Sequence, residues 1–306
     1  MPYDDRIPPT RRGRPLLTAA ALACLSLTVA GCGGGGSGVA TPPRTGGAGS
    51  AGSAAPSAPA STTPAPSSAS ATPSASAKPL PKGPLTGKTV VIDPGHNPRN
   101  REHTREIARL VDIGTGRKEC DTTGTATNAG YAEAQFTLDV SRRLRTLLEA
   151  RGAKVVMTHD NDRPFGPCVD ERARIGNKAG ADAAVSVHAD GSATGNRGFH
   201  VILPARVRGG AADTADIVEP SRELGTRIAG LFVRATGSAP SNYIGDKTGL
   251  DTRDDLGGLN LSTVPKVFVE CGNMRDPKDA ALLTDPDWRQ KAALGMAEGI
   301  SSYLKG

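Results

Sequence analysis

Four side chains, far apart in the sequence, have the types that metal-assisted hydrolysis requires. His96 and His188 each follow a short apolar run, and Glu133 opens an amphipathic segment. Two imidazoles and one carboxylate form the ligand set of a catalytic zinc ion that keeps one coordination position open for water. Glu270 ends another apolar run, where its carboxylate suits the role of general base. We therefore expect one Zn²⁺ per chain, bound by His96, Glu133 and His188.

Structural roles would also account for some of these residues when each is taken alone. A carboxylate such as Glu133, in the first turn of a helix, is stabilised by the helix dipole whether or not it binds a metal. Glu270 is harder to explain in this way, because a carboxylate at the end of a buried strand is costly without a partner. We expect structural roles for the other three histidines, which are His103, His159 and His200.

The elements that position these residues alternate between strands and helices. Short apolar runs rich in β-branched residues predict buried strands at Thr89 to Ile92, Lys154 to Thr158, Ala183 to Val187, Phe199 to Leu203 and Val264 to Val269. Helical spacing of apolar residues predicts helices over Phe136 to Leu148, Val169 to Lys178, Ser221 to Ala235 and Trp288 to Leu304. The alternation predicts a single α/β domain with a mixed, largely parallel sheet and helices on both faces.

The first 85 residues differ in composition from the rest of the chain. A basic region precedes an apolar stretch from Leu16 to Ala30, which leads into Val29-Ala30-Gly31-Cys32. We interpret residues 1–32 as a lipoprotein signal peptide with Cys32 as the lipidated residue, and an ordinary secretory signal as the alternative. Residues 33–85 are almost wholly Gly, Ala, Ser, Thr and Pro, which predicts a disordered linker. Residues 86–306 then form the catalytic domain.

The net charge of +6 does not indicate a nucleic-acid partner. The first 84 residues hold seven of the 37 basic residues and only two of the 31 acidic residues. The remainder is therefore nearly neutral, and phosphate binding requires a basic face. We expect no nucleic-acid partner and a monomeric protein.

The cysteines agree with an exported protein. Cys120 and Cys168 lie in polar segments that contain Gly, Pro or charged residues. A disulfide between them would join a long loop to the start of a helix, as an oxidising compartment permits, and two free thiols are the alternative. Cys271, next to Glu270, is interpreted as a buried small hydrophobic residue.

A family resemblance rests on the motifs that carry these residues. The order Val-Ile-Asp-Pro-Gly-His, a Glu at a helix start, Glu171-Arg172, Ser-Val-His-Ala-Asp and Val-Glu-Cys-Gly-Asn resembles the zinc-dependent N-acetylmuramoyl-L-alanine amidases of the amidase_3 type. It is most similar to the compact mycobacterial type. The resemblance implies a peptidoglycan or muropeptide substrate, cut between N-acetylmuramic acid and L-alanine, with zinc bound by His96, Glu133 and His188 and with Glu270 as catalytic residue.

Two other functions remain open at this point. One is a different zinc peptidase of the envelope, such as a carboxypeptidase, and the other is a non-catalytic lipoprotein that binds peptidoglycan. The segment from Asn97 to Ala132 is longer than in many relatives, and it is either a lid over the site or a solvated loop. The leader predicts a protein exported to the cell envelope and attached to the outer face of the membrane through a lipid on Cys32.

Overall fold

The computed structural model of the protein describes residues 81–306. The predicted signal peptide, the predicted lipidation site at Cys32 and nearly all of the predicted linker lie outside the described residues. Among residues 81–306, no helix combines the length and the apolar composition that crossing a membrane requires.

The described residues contain ten strands and seven α-helices. In chain order the strands are β1 (Thr89–Pro94), β2 (Leu110–Asp112), β3 (Arg117–Glu119), β4 (Lys154–Met157), β5 (Ala183–Asp190), β6 (His200–Pro204), β7 (Arg208–Gly209), β8 (Ala212–Asp213), β9 (Leu250–Arg253) and β10 (Lys266–Asn273). The helices are α1 (Thr104–Ile107), α2 (Glu133–Glu149), α3 (Val169–Ala179), α4 (Val218–Thr236), α5 (Gly257–Asn260), α6 (Pro277–Thr284) and α7 (Pro286–Lys305).

Six of the strands form the main sheet, in the order β4-β1-β5-β10-β6-β9. All neighbouring strands run parallel except β6 and β10, which are antiparallel. Helices α2, α4 and α7 cover one face, and α3 and α5 pack on the other. The predicted mixed, largely parallel sheet with helices on both faces is confirmed.

Alternate residues of the two central strands, β5 and β10, face different environments, because successive side chains in a strand point to opposite sides. The residues that face the large core beneath α2, α4 and α7 are Val185, Val187, Ala189, Val267, Val269 and Cys271. The intervening side chains, on the opposite face, include Ser186, His188, Phe268 and Glu270. One face of the sheet therefore supplies the core and the other supplies the polar residues of interest.

Helices α4 and α7 pack very closely against each other under the sheet. A Cβ added to Gly299 of α7 would lie 2.5 Å from the Cα of Ile228 on α4. Since no larger side chain fits at that distance, Gly299 sets the separation of the two helices. The contact helps to complete the core, where Ile228 is fully buried.

The segment from Asn97 to Ala132 is folded against the domain. Within it β2 and β3 form an antiparallel hairpin. Val111 and Ile113 of this segment form a small hydrophobic cluster with Cys120 and Cys168. These two cysteines are joined by a disulfide across 48 residues of sequence, and the remaining cysteine of the described residues, Cys271, is buried and free. Whether the segment acts as a lid stays a prediction.

Candidate metal centre

A tight turn after β1 presents His96. Gly95 donates its N–H to the carbonyl oxygen of Val187 on β5 at 2.9 Å, which fixes the turn against the neighbouring strand. A Cβ on Gly95 would lie 2.4 Å from Cε1 of His188, so the close approach of the two imidazoles requires glycine here. His96 itself has a φ of 59°, a left-handed conformation that non-glycine residues adopt rarely and mostly at functional sites.

The carboxylate of Glu133 approaches from the N-terminus of α2. Glu133 is the first residue of that helix and is 4% exposed. Its Oε2 accepts the N–H of Thr125 at 2.9 Å, and its Oε1 accepts the N–H of Ala189 at 3.2 Å. Burial alone would raise the pKa of Glu133, but His96 and His188 outweigh it and hold the pKa well below its usual range. The carboxylate is therefore ionised and fixed in place.

The ring of His188 is held between two side chains of its own face of the sheet. Phe268 on β10 stacks against it, with ring centroids 5.1 Å apart and an interplanar angle of 12°. Nε2 of His188 lies 3.2 Å from Oγ of Ser186, two residues earlier on β5. Nδ1 points the other way and lies 3.0 Å from Oε1 of Glu133. The imidazole therefore presents Nδ1 to the carboxylate.

The three groups converge on one point. Nε2 of His96 lies 3.2 Å from Oε2 of Glu133, and the three ligand atoms of His96, Glu133 and His188 all lie within 4.8 Å of one another. Ligand atoms around a tetrahedral zinc ion with bonds of about 2.0–2.1 Å are separated by about 3.3 Å. The donor set and its spacing therefore fit a zinc ion. No other group of this kind occurs among residues 81–306.

Each imidazole is also hydrogen-bonded on the side that faces away from the cluster. Nδ1 of His96 lies 3.1 Å from the carbonyl oxygen of Thr122 and 3.3 Å from Oδ1 of Asp121. Nε2 of His188 lies 3.2 Å from Oγ of Ser186. If these outer nitrogens carry the protons, the inner nitrogens keep a free lone pair for a metal. Sequence reasoning did not assign these partners. Ser186 could have been found, since residues two apart in a strand share a face.

Glu270 lies beside the cluster on β10, in register with His188 on one side and His200 on the other. Its Oε2 is buried and has no hydrogen-bond partner among the described residues. Burial, together with the negative charges of Glu133 and Asp190, raises the pKa of Glu270 well above its usual range. A cavity of about 300 Å³ is shared by His96, Glu133, His188 and Glu270. All four predicted site residues therefore meet in one cavity.

The other three histidines lie outside the cluster of ligand atoms. Nε2 of His159 lies 3.0 Å from the carbonyl oxygen of Pro94. His103 is placed near Glu106, with 3.4 Å between Nδ1 and Oε1. His200 is buried in β6. None of the three belongs to a metal-binding group within residues 81–306, in line with the structural roles expected for them.

The match to a known protein family covers the main sheet from the second residue of β1 onwards. The model of the amidase_3 family, described as N-acetylmuramoyl-L-alanine amidase, matches residues 90–302. The chain belongs to the amidase_3 family. The matched range contains His96, Glu133, His188 and Glu270, so the four residues that meet in the cavity all lie within the amidase_3 region.

Mycobacterial members of the family are similar along most of their length. The N-acetylmuramoyl-L-alanine amidase Rv3717 of Mycobacterium tuberculosis is 41% identical over 221 residues, which cover 72% of this chain and 88% of the relative. The crystal structure of the amidase Ami1 from Mycobacterium smegmatis superposes with a TM-score of 0.66 at 41% identity, covering 72% of this chain and 98% of that one. Ami1 from Mycobacterium abscessus, crystallised in the apo form, gives a TM-score of 0.65 at 39% identity.

Proposed function

We propose that the chain is a zinc-dependent N-acetylmuramoyl-L-alanine amidase. Its substrate is peptidoglycan or a muropeptide, in which it hydrolyses the amide bond between N-acetylmuramic acid and L-alanine of the stem peptide. One observation carries the proposal: the ligand atoms of His96, Glu133 and His188 lie within 4.8 Å of one another in a cavity that also contains Glu270. Membership of the amidase_3 family supplies the substrate class.

The roles of the residues follow from their placement. His96, Glu133 and His188 would hold a zinc ion, which when bound polarises the amide carbonyl and lowers the pKa of water. Glu270 would take a proton from the attacking water and return it to the leaving amine of L-alanine. Its Oε2, which has no hydrogen-bond partner within residues 81–306, is free for this exchange. The raised pKa of Glu270 suits a group that must hold a proton between the two steps.

The location of the enzyme follows from its substrate and its leader. Peptidoglycan lies outside the cell membrane, and the relatives named LytH from staphylococci are described as probable cell wall amidases. In this proposal residues 1–32 direct export, a lipid on Cys32 anchors the chain to the outer face of the membrane, and residues 33–85 link the anchor to a monomeric catalytic domain of residues 86–306. The disulfide between Cys120 and Cys168 suits an oxidising compartment. Such a tether would raise the local concentration of the enzyme at the wall.

The variant Glu270→Gln tests the catalytic assignment. It preserves the size of the side chain and removes its ability to accept a proton, so we expect turnover to fall by about 10²- to 10⁴-fold, with zinc content unchanged. Glu219→Gln is the matched control, because Glu219 lies on α4 with a side chain that is 81% exposed. The measurements are metal analysis of the purified protein and release of soluble product from sacculi.

Mass spectrometry of the products separates the proposed function from the alternatives. An amidase releases intact stem peptides that begin with L-alanine and leaves glycan strands without peptide, whereas a carboxypeptidase releases single amino acids. A Glu270→Gln variant with the turnover of the Glu219→Gln control would contradict the role of Glu270. A zinc-loaded wild-type protein that binds sacculi and releases nothing would instead favour a non-catalytic binding protein.

A further inference from the structure

The guanidinium of Arg172, on α3, is buried next to the metal centre. Arg172 is 5% exposed, and each of its nitrogens donates at least one hydrogen bond, five in all. Nε donates to the carbonyl oxygen of Pro167 at 2.8 Å. Nη1 donates to Oδ1 of Asp93 at 2.8 Å and to the carbonyl oxygen of Pro94 at 2.6 Å. Nη2 donates to Oδ2 of Asp121 at 2.8 Å and to the carbonyl oxygen of His96 at 3.1 Å. This uses the full donor capacity of an arginine side chain.

One branch of these contacts leads to the first imidazole. Nη2 of Arg172 donates to Oδ2 of Asp121, and the other carboxylate oxygen, Oδ1, lies 3.3 Å from Nδ1 of His96. Nη2 also donates to the backbone carbonyl of His96 itself. Arg172 therefore restrains both the backbone turn that carries His96 and a carboxylate that lies 3.3 Å from its outer ring nitrogen, beside the carbonyl oxygen of Thr122.

The second branch leads to the other imidazole. Nη1 of Arg172 donates to Oδ1 of Asp93, and the hydroxyl of Ser186 donates to Oδ2 of the same carboxylate at 3.0 Å. Oγ of Ser186 lies 3.2 Å from Nε2 of His188. Because the hydroxyl proton of Ser186 is directed at Asp93, its oxygen is left to accept the Nε2–H of His188. This order of donors fixes the tautomer in which Nδ1 faces Glu133.

We propose that Arg172 is the shared positioning residue of the metal centre: through the His96 backbone and Asp121 it orients the first imidazole, and through Asp93 and Ser186 it orients the second and fixes its tautomer. The inference rests on the metal site proposed above. Partners of this kind behind metal-binding histidines change metal affinity by about 10- to 100-fold when removed. Here one side chain contacts both of the carboxylates, Asp121 and Asp93, that stand behind the two imidazoles.

Charge balance alone does not explain an arginine at this place. Lys266 already binds Oδ2 of Asp93 at 2.9 Å and supplies a positive charge there. A lysine in place of Arg172 could add a second charge beside Asp93 without also binding Asp121. The guanidinium binds Asp93 through Nη1 and Asp121 through Nη2 at the same time, and the single nitrogen of an ammonium group does not reproduce this planar, two-pronged geometry. Arg172→Lys therefore keeps the charge and removes the bridge.

Zinc affinity, measured by competition with a chromophoric chelator on the full chain without substrate, tests the proposal. We expect Arg172→Lys to bind zinc about 10- to 100-fold more weakly. Ser186→Ala should weaken it through the His188 branch alone, and the double variant should lose less than the product of the two single losses, because both changes act through Asp93. Arg174→Lys, on the same helix with a side chain that is 67% exposed, is the control and should bind zinc like the wild type.

A merely structural role predicts a different pattern. Arg172→Lys would then lower the thermal stability of the metal-free protein while zinc affinity stayed at the wild-type value, and this result would overturn the proposal. If Arg172→Lys fails to fold, Asp121→Asn with Ser186→Ala decides the question, and wild-type zinc affinity in both variants would overturn it equally. Failure of the proposed amidase function would show separately, as a wild-type protein that binds zinc without cleaving sacculi.

Discussion

Lys266 gives a direct test of how much the buried charges contribute to folding. Its side chain is 2% exposed and its Nζ lies 2.9 Å from Oδ2 of Asp93, which is itself 1% exposed. Lys266→Met keeps the length of the side chain and removes the charge, so Asp93 keeps Arg172 as its only cationic partner within salt-bridge distance among the described residues. Removing one partner of a buried ion pair costs about 3–5 kcal/mol when the other charge is left unpaired. Because Arg172 still pairs with Asp93, we expect a cost near the lower limit, about 3 kcal/mol, which is a large share of a typical folding free energy of about 5–15 kcal/mol.

Lys118→Met is the matched control. Lys118 pairs with Asp255 at a similar distance, 2.8 Å, but the two side chains are 44% and 42% exposed. Exposed ion pairs contribute about 0–1 kcal/mol. The comparison therefore varies burial while it keeps the substitution and the pair distance nearly the same.

Urea unfolding of the metal-free protein provides the measurement, since bound metal would add its own stabilisation. With a slope of about 2–3 kcal/mol per molar urea, Lys266→Met should lower the midpoint by about 1–2 M. Lys118→Met should lower it by less than about 0.5 M. Midpoints that shift equally in the two variants would refute the reasoning, because burial would then have no effect on the cost.

The pH dependence of the same effect has a definite sign. Burial alone would raise the pKa of Asp93, but Lys266 and Arg172 outweigh burial and hold the pKa well below its ordinary value. A carboxylate with a lowered folded-state pKa contributes stability above its unfolded pKa of about 4, and this contribution is lost as pH falls through the folded value. The gap between wild type and Lys266→Met should therefore narrow below about pH 4, and a constant gap would contradict this assignment.

Two further predictions concern packing and the disulfide. Gly299→Ala should lower the melting temperature, because the added Cβ would lie 2.5 Å from the Cα of Ile228. Gly230→Ala, whose Cβ would meet no atom of the described residues within 4 Å, should instead raise the free energy of unfolding by up to about 1 kcal/mol. Equal effects of the two substitutions would contradict the packing argument. Replacing Cys120 and Cys168 by serine should lower the free energy of unfolding by about 4 kcal/mol, because the disulfide closes a loop of 48 residues. Urea unfolding measures this loss, and the wild type with its disulfide reduced is the control, which should unfold like the variant.

The central strands could be predicted from sequence because both of their faces are buried. Runs such as Thr89 to Ile92 are continuously apolar, and they appear in the structure as β1 and its neighbours. The edge strand β9 has the sequence Leu-Asp-Thr-Arg, without such a run, and its place in the sheet depends on its pairing with β6. The hairpin of β2 and β3 was also missed, because its strands contain too few apolar residues to show an alternating apolar and polar pattern.

The site residues could be predicted for a related reason. His188 and Glu270 directly follow apolar runs that locate β5 and β10, although both strands continue beyond them, to Asp190 and Asn273. Glu133 opens a helix with a clear period. Asp121 gave no signal, because its contact with His96 depends on the path of a loop that the sequence does not specify. Arg172 was visible as part of a motif, but its contacts with Asp93 and Asp121 depend on how α3 packs against the sheet.

The alternation in β5 and β10 has a consequence for how the chain finds its native pairing. A slip of β10 by one residue against β5 would move Glu270 towards the apolar layer under α2, α4 and α7, and would turn Val269 towards the cavity. Burying an unpartnered carboxylate among aliphatic side chains costs several kcal/mol. The acid proposed for catalysis therefore also disfavours misaligned sheets.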